Sequence, residues 1–255
     1  MRGLWGAIRL QFQIVTEDRS YLNEIVANPF VAIIFLGVVK AAGRDDLTSF
    51  ALVAPVLITL WGMALEISGD VVDYDRGTGI LEEVVATPTP LPAVVFGRVL
   101  TVSALSLVAV AETWAVARFG FGVTVPVEHP VLLVVTLVLT ILAMTGTGLI
   151  MAAAFVLARS ARTYQNTLNY PIYLLSGVLV PLSFLPGWLR PIGRCLFLSW
   201  SADLLRGCLR PGPVDGALPA LAMVLLLGAT GFLVGRALLA RVLRHVRQLG
   251  TLGFQ

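Results

Sequence analysis

From Val131 to Ala158 the sequence carries no charged side chain, and no other feature limits the possible folds as much. Coiled as a helix, the run is about 40 Å long, which exceeds the ~30 Å hydrocarbon layer of a bilayer. Leu47–Leu65 and Gly216–Gly235 are likewise free of charge. Hydrophobic residues make up 57% of the chain and charged residues 13%, against the ~25% charge of a typical soluble domain. An all-α integral membrane protein is implied. Its 255 residues are best counted as spans of ~20 residues with connections, which leaves room for about six.

The chain divides accordingly. Residues 1–22 place Leu4, Trp5, Ile8, Phe12 and Val15 at helical spacing, with Arg2, Arg9, Gln11 and Gln13 between them. This predicts an amphipathic helix lying in the membrane interface, or else the tilted start of the first span. No cleavable signal pattern is present, so the start reads as mature. Spans are expected at 24–42, 47–68, 93–118, 131–158, 164–182 and 216–238. The first is short and carries Asn28-Pro29 near its start, predicting a kinked or partly recessed helix. In the third, Glu112 follows Arg98 by ~21 Å along the helix, so the carboxylate lies deep or near the far interface. Residues 183–210 mix Pro, Gly, Arg and Trp with apolar runs too short to span. They read as two short interfacial helices or as a re-entrant hairpin buried in protein. In the last span Gly228, Gly231 and Gly235 share a face suited to close helix contact, and Arg236, Arg241, Arg244 and Arg247 follow as a basic tail.

Six spans put both ends on one side of the membrane. On that arrangement eleven of the 18 Lys and Arg residues fall on the side of the termini and seven on the other. The positive-inside rule therefore places both termini in the cytoplasm of a multi-pass protein of the cell membrane, inner or plasma. Four of the opposing seven lie in the 190–210 stretch. The basic residues are scattered, which does not suit nucleic acid. Lys40 is the only lysine and lies outside any Gly-Lys-Ser/Thr pattern, so the chain has no P-loop of its own. His129, His245, Cys195 and Cys208 lack metal-site spacing. The two cysteines fall on the expected outer side, where a disulfide is permitted, although two packed free thiols are the simpler expectation.

Between the second and third spans lies the one long charged passage, 73–88. Five of the fifteen acidic residues fall between Asp70 and Glu83, so the segment belongs at a membrane surface rather than in hydrocarbon. Gly77 and Gly79 break any helix continuing from the second span, and Ile80–Ala86 can form one or two turns before Thr87-Pro88. Leu81, Val84 and Val85 then share a face while Glu82 and Glu83 remain available to basic groups. An apolar knob ringed by charge suits insertion into a partner.

The passage resembles a family signature. Asp75-Arg76-x-x-Gly79-Ile80-Leu81-Glu82-Glu83-Val84-x-x-Thr87-Pro88 is similar in register to the Glu-Arg-x-x-Gly-Thr-Leu-Glu-x-Leu-x-x-Thr-Pro pattern of ABC-2-type permeases, the membrane subunits of ATP-binding-cassette exporters. Among the departures, Asp75 for Glu and Ile80 for Thr leave the spacing unchanged. A second stretch, Ser176-Gly177-x-x-x-Pro181 through Leu185-Pro186, followed by Asp203-x-x-Arg206, resembles the family's later motifs. The resemblance implies six transmembrane helices with an amphipathic N-terminal helix. It further implies a cytoplasmic coupling helix that docks on a separate ATPase subunit, and an outer helical hairpin before the last span. It implies docking through Asp75, Arg76, Gly79, Leu81, Glu82, Glu83, Val84, Thr87 and Pro88. ATP and Mg would then be bound by the partner and no cofactor by this chain, and a second permease, identical or not, would face it across the substrate path.

The expectation is a non-catalytic bacterial export permease for a hydrophobic or amphipathic substrate, whether drug, as in multidrug efflux, lipid or glycan-like. Glu66, Glu112, Ser176, Gly177 and Pro181 are candidates for the translocation path or its gate. Glu66 precedes Ser68-Gly69-Asp70 and suits an interfacial tether. Glu112 either pairs with Arg118 or faces the central path. A stand-alone secondary transporter is the alternative, requiring ion-coupling acids in discontinuous helices. A polytopic membrane enzyme is less favoured. The Glu82-Glu83 pair has Thr87 where the intramembrane prenyl proteases need Arg, and the histidines are too few.

Overall fold

The computed structural model describes residues 2–17, 20–77, 91–125, 127–157 and 161–249. Every regular element among them is helical. In order these are α1 (Arg2–Glu17), α2 (Ser20–Ala41), α3 (Thr48–Gly77), α4 (Leu91–Leu105), α5 (Val108–Ala115), α6 (Pro130–Leu157), α7 (Ala161–Leu175), α8 (Arg190–Arg194), α9 (Phe197–Cys208) and α10 (Ala217–Leu249). Short 3-10 turns cover Asp45–Leu47 and Leu182–Phe184, and a wide π turn covers Val116–Gly120. Four helical stretches are long and apolar enough to cross a membrane: Asp45–Asp70, Pro92–Gly120, Pro130–Val156 and Ala217–Val242. Ile25–Ala41 is apolar but shorter.

α3 is the axis of the bundle. Leu57, Leu60, Met63, Leu65 and Ile67 on it are fully buried, and it touches α2, α4, α5, α6, α7 and α9. α10 lies at the opposite extreme, with Leu218, Leu225, Leu226, Leu233 and Val234 turned outward. Its inward face carries buried Val224 and Leu239, with glycine at the close approach to α6. A Cβ on Gly228 would sit 2.8 Å from Ala143 Cα, and one on Gly235 would sit 2.6 Å from Leu149 Cβ. On α6, a Cβ on Gly146 would meet Gly228 O at 2.6 Å. The two backbones therefore approach as closely as small residues permit.

α1 packs on α4 through Ala7, Gln11 and Val15, which are buried, whereas Trp5 and Phe12 are exposed. Arg98 Nε donates to Gln11 Oε1 at 2.8 Å, with both residues buried. The apolar arc of this amphipathic helix is thus split, one stripe against the bundle and the other outward.

Three elements differ from the sequence expectation. The third span is not one continuous helix, because α4 and α5 are separated at Ser106-Leu107. There Leu107 N donates to Ala104 O and Ala109 N to Ser106 O, three residues back instead of four, while Ser106 Oγ donates to Ser103 O at 2.8 Å. A serine hydroxyl competing for backbone groups loosens the α pattern locally. The fifth helix stops at Leu175 rather than 182, ended by a glycine cap. Gly177 has φ +76°, and Val178 N bonds Tyr173 O while Gly177 N bonds Leu174 O, the Schellman arrangement. Finally, 236–249 is no separate tail but the continuation of α10.

Candidate functional site

A polar cluster lies inside the apolar bundle where α2, α3 and α5 meet. Asn28, 1% exposed, is its centre. Its Nδ2 donates to Glu112 Oε2 at 3.0 Å, and to Thr113 Oγ1 and Ala109 O at 3.3 Å each. Its Oδ1 accepts from Thr59 Oγ1 at 3.1 Å. Asn28 stands about 20 Å along α2 from Ala41, and Thr59 about 17 Å along α3 from Thr48, so both helices place the cluster at similar depth. Buried amide groups at such depth require partners, and here each end of the amide has one.

The sequence left Glu112 either pairing with Arg118 or facing the central path, and the pair is not found among the described residues. Arg118 is exposed on the π turn, and among the described residues Glu112 is held by Asn28 across the helices. The sequence reading took Asn28 only as the residue before a helix-kinking proline. A carboxamide within an apolar span was the available signal.

Of Ser176, Gly177 and Pro181, Gly177 is met by the later motif, while Ser176 Oγ turns back to Tyr173 O at 3.4 Å and Pro181 O accepts from Phe184 N. Arg206, buried on α9, sends Nη2 to Gly177 O at 2.8 Å and to Val178 O at 3.4 Å. Its guanidinium also lies 4.0 Å from the centre of the Phe50 ring on α3. Asp203 stands 3.7 Å from Arg206 and 2.7 Å from Arg194. Burial pushes the Arg206 guanidinium down to about 10, so it remains a cation at neutral pH. Gly193 closes the arrangement, since a Cβ there would collide with Leu175 O. Two sequence motifs thus become one joint linking the turn after α7, the short helices α8 and α9, and the start of α3.

Further bonds join α7 to α3. Tyr173 Oη donates to Ile58 O at 3.0 Å, and Gln165 Nε2 donates to Leu65 O and Glu66 O at 3.0 Å each. Glu66 thus sits beside the Gln165 contact, its backbone engaged by α7. Asp75 and Arg76 lie in the last turn of α3, which ends at Gly77. Gly79, Leu81, Glu82, Glu83, Val84, Thr87 and Pro88, and with them the expected coupling helix, lie outside the described residues.

Cys195 is exposed, Cys208 is buried and both are free thiols. Burial pushes the Cys208 thiol up to about 11. An apolar cavity of about 110 Å³ lies between α3, α5, α6 and α9, lined among others by Leu52, Val56, Thr113, Trp114, Leu137 and Leu205. Among the described residues no group of His, Cys, Asp and Glu side chains is placed to hold a metal.

These features define a multi-pass helical membrane protein whose chemistry is hydrogen bonding between helices. A family model described as ABC-2 type transporter matches residues 3–209, everything up to the loop before α10, and the chain belongs to that family. Its members are membrane components that generally lack catalytic activity of their own and normally work with an ATP-binding subunit. No curated protein matches the chain.

Proposed function

We propose that this chain is the permease of an ABC exporter, carrying a hydrophobic or amphipathic substrate (drug, lipid or glycan-like) across the cell membrane. ATP hydrolysis on a separate subunit drives the movement, and that subunit holds the ATP and Mg. The reading counts six spans, adding α2 and α7 to the four long apolar stretches, with both termini cytoplasmic, the 183–210 hairpin outside, and the 73–88 loop docked on the ATPase.

One observation carries it. α3 ends at the signature that begins with Asp75, and along its length it receives Gln165, Tyr173, Asn28 and Arg206 at Glu66, Ile58, Thr59 and Phe50 respectively. A displacement at the loop is thereby passed to these four joints. A partner supplies work only through different contacts with the two conformations. A second permease is supported by α7, which turns Tyr164, Thr167, Tyr170 and Leu174 outward. That stripe is more polar than the Leu and Val residues α10 presents.

Co-purification with the candidate ATPase tests the reading. Charge reversal by Glu82→Arg with Glu83→Arg is expected to abolish co-purification and permease-dependent ATP hydrolysis. An ATPase that stays bound and coupled to this variant refutes the docking assignment. The interrupted α4–α5 segment beside Glu112 favours one second reading, an ion-coupled secondary transporter. Uptake by proteoliposomes of the chain alone, driven by an ion gradient, would establish that reading instead.

A further inference from the structure

The joint of α2, α3 and α5 holds a carboxylate with more accepting capacity than its surroundings use. Glu112 is partly exposed. Among the described residues, the hydrogen bond that reaches its side chain is the one from Asn28 Nδ2 to Oε2. Yet an ionised carboxylate offers about four lone-pair sites. Asn28 is fully engaged, with its amide hydrogens shared among Glu112, Thr113 and Ala109 and its oxygen taken by Thr59. It fixes the carboxyl group in place and brings no charge of its own. No described Lys, Arg or His forms an ion pair with Glu112, and Arg98 is bound to Gln11 near the other end of the segment.

The surroundings are apolar. Val108, one turn before Glu112, is exposed, and so is Ala111. Phe119, two turns on, is 81% exposed and meets Trp114 edge to face at 6.1 Å between ring centres. An acid at this depth costs several kcal/mol unless something complements it. Its complement is a group that brings positive charge or N–H donors on an apolar body.

We infer that Glu112, fixed in place by Asn28, is a binding site for the ammonium group of an amphipathic cation. The inference rests on the permease reading and narrows the substrate to lipophilic amines. Glu112 accepts the ammonium hydrogens, Asn28 is a positioning residue, and Val108, Ala111 and Phe119 face the apolar portion. Pre-orientation by Asn28 and Thr59 removes the ordering cost that a mobile carboxylate would impose on binding.

The test uses the full chain in lipid nanodiscs with two probes, dansylcadaverine and its N-acetylated, uncharged form. Binding is followed by energy transfer from tryptophan to dansyl. The amine is expected to bind about tenfold or more tighter than the acetylated probe, the range of one charge-assisted hydrogen bond. Glu112→Gln, which keeps an oxygen for Asn28, removes that preference and leaves the acetylated probe's affinity unchanged. Glu128→Gln, in the exposed outer loop, keeps the preference. If Glu112→Gln fails to fold, Asn28→Ser leaves the carboxylate in place but less firmly held and should lower the preference severalfold. Absence of a preference in the unaltered chain overturns the inference, as does its persistence in Glu112→Gln or at full strength in Asn28→Ser. Because the assay contains no ATPase, its outcome is separate from that of the docking experiment.

Discussion

The α6–α10 pair and the α3–α7–α9 group hold together by opposite means. α10 meets α6 through glycines that bring the backbones to van der Waals contact. α7 and α9 reach their neighbours with side-chain donors aimed at backbone carbonyls, those of Ile58, Leu65, Glu66, Gly177 and Val178. Shape-based contact has one register, because a shift drives a Cβ into a backbone. The hydrogen bonds to the α3 carbonyls of Ile58, Leu65 and Glu66 are directional but exchangeable, since the next turn of the helix offers equivalent acceptors. The contrast assigns rigidity to α6–α10 and rearrangement to α3–α7–α9.

The largest expected effect breaks the rigid half. Gly146→Leu places a side chain where a Cβ alone would be 2.6 Å from Gly228 O, and should cost about 3 kcal/mol or more. Loss of monodisperse protein on size exclusion and a lower thermal midpoint in detergent would be the readouts. A variant as stable as the parent would show that the α6–α10 contact is not rigid.

A smaller effect probes the other half. Arg206→Met leaves Gly177 O without its 2.8 Å donor, while Asp203 keeps Arg194, so about 1–3 kcal/mol is expected. Arg206→Lys should recover only part, because an ammonium lacks the planar fork that bonds carbonyls while stacking on Phe50. Thermal denaturation of the two variants ranks them. Full recovery by lysine would reduce the joint to simple charge.

The third prediction changes no stability and sharpens where the mobile half faces. A membrane-impermeant maleimide applied to intact cells should label Cys195, exposed beside α8, if the hairpin lies outside. Cys208 should resist. Its reaction in a Cys195→Ser variant should rise about tenfold per pH unit toward its value of about 11, because the thiolate is the nucleophile. Labelling of Cys195 only after permeabilisation would invert the proposed topology.

What the sequence disclosed follows from the range of the forces involved. Charge-free runs disclosed α3, α6 and α10, because burial in hydrocarbon is a property of the run itself. The glycine that ends α7 belonged to a recognised motif, but its partner Arg206 lies 29 positions on, and only folding joins the two. For Glu112 the sequence offered either Arg118, near along the chain, or the central path, whereas its partner Asn28 is 84 positions away. The break at Ser106-Leu107 is marked by neither proline nor glycine. Gly228, Gly231 and Gly235 announced a tight contact without naming Ala143 and Gly146 as its other side.

One consequence of α3 concerns reach. At 1.5 Å per residue its 30 residues make a rod of about 45 Å, against a bilayer of roughly 40–45 Å including headgroups. In the proposed topology, with Thr48 at the outer interface, an upright α3 would set Gly77 at the cytoplasmic waterline. A subunit that takes hold of the chain there needs no affinity for lipid of its own.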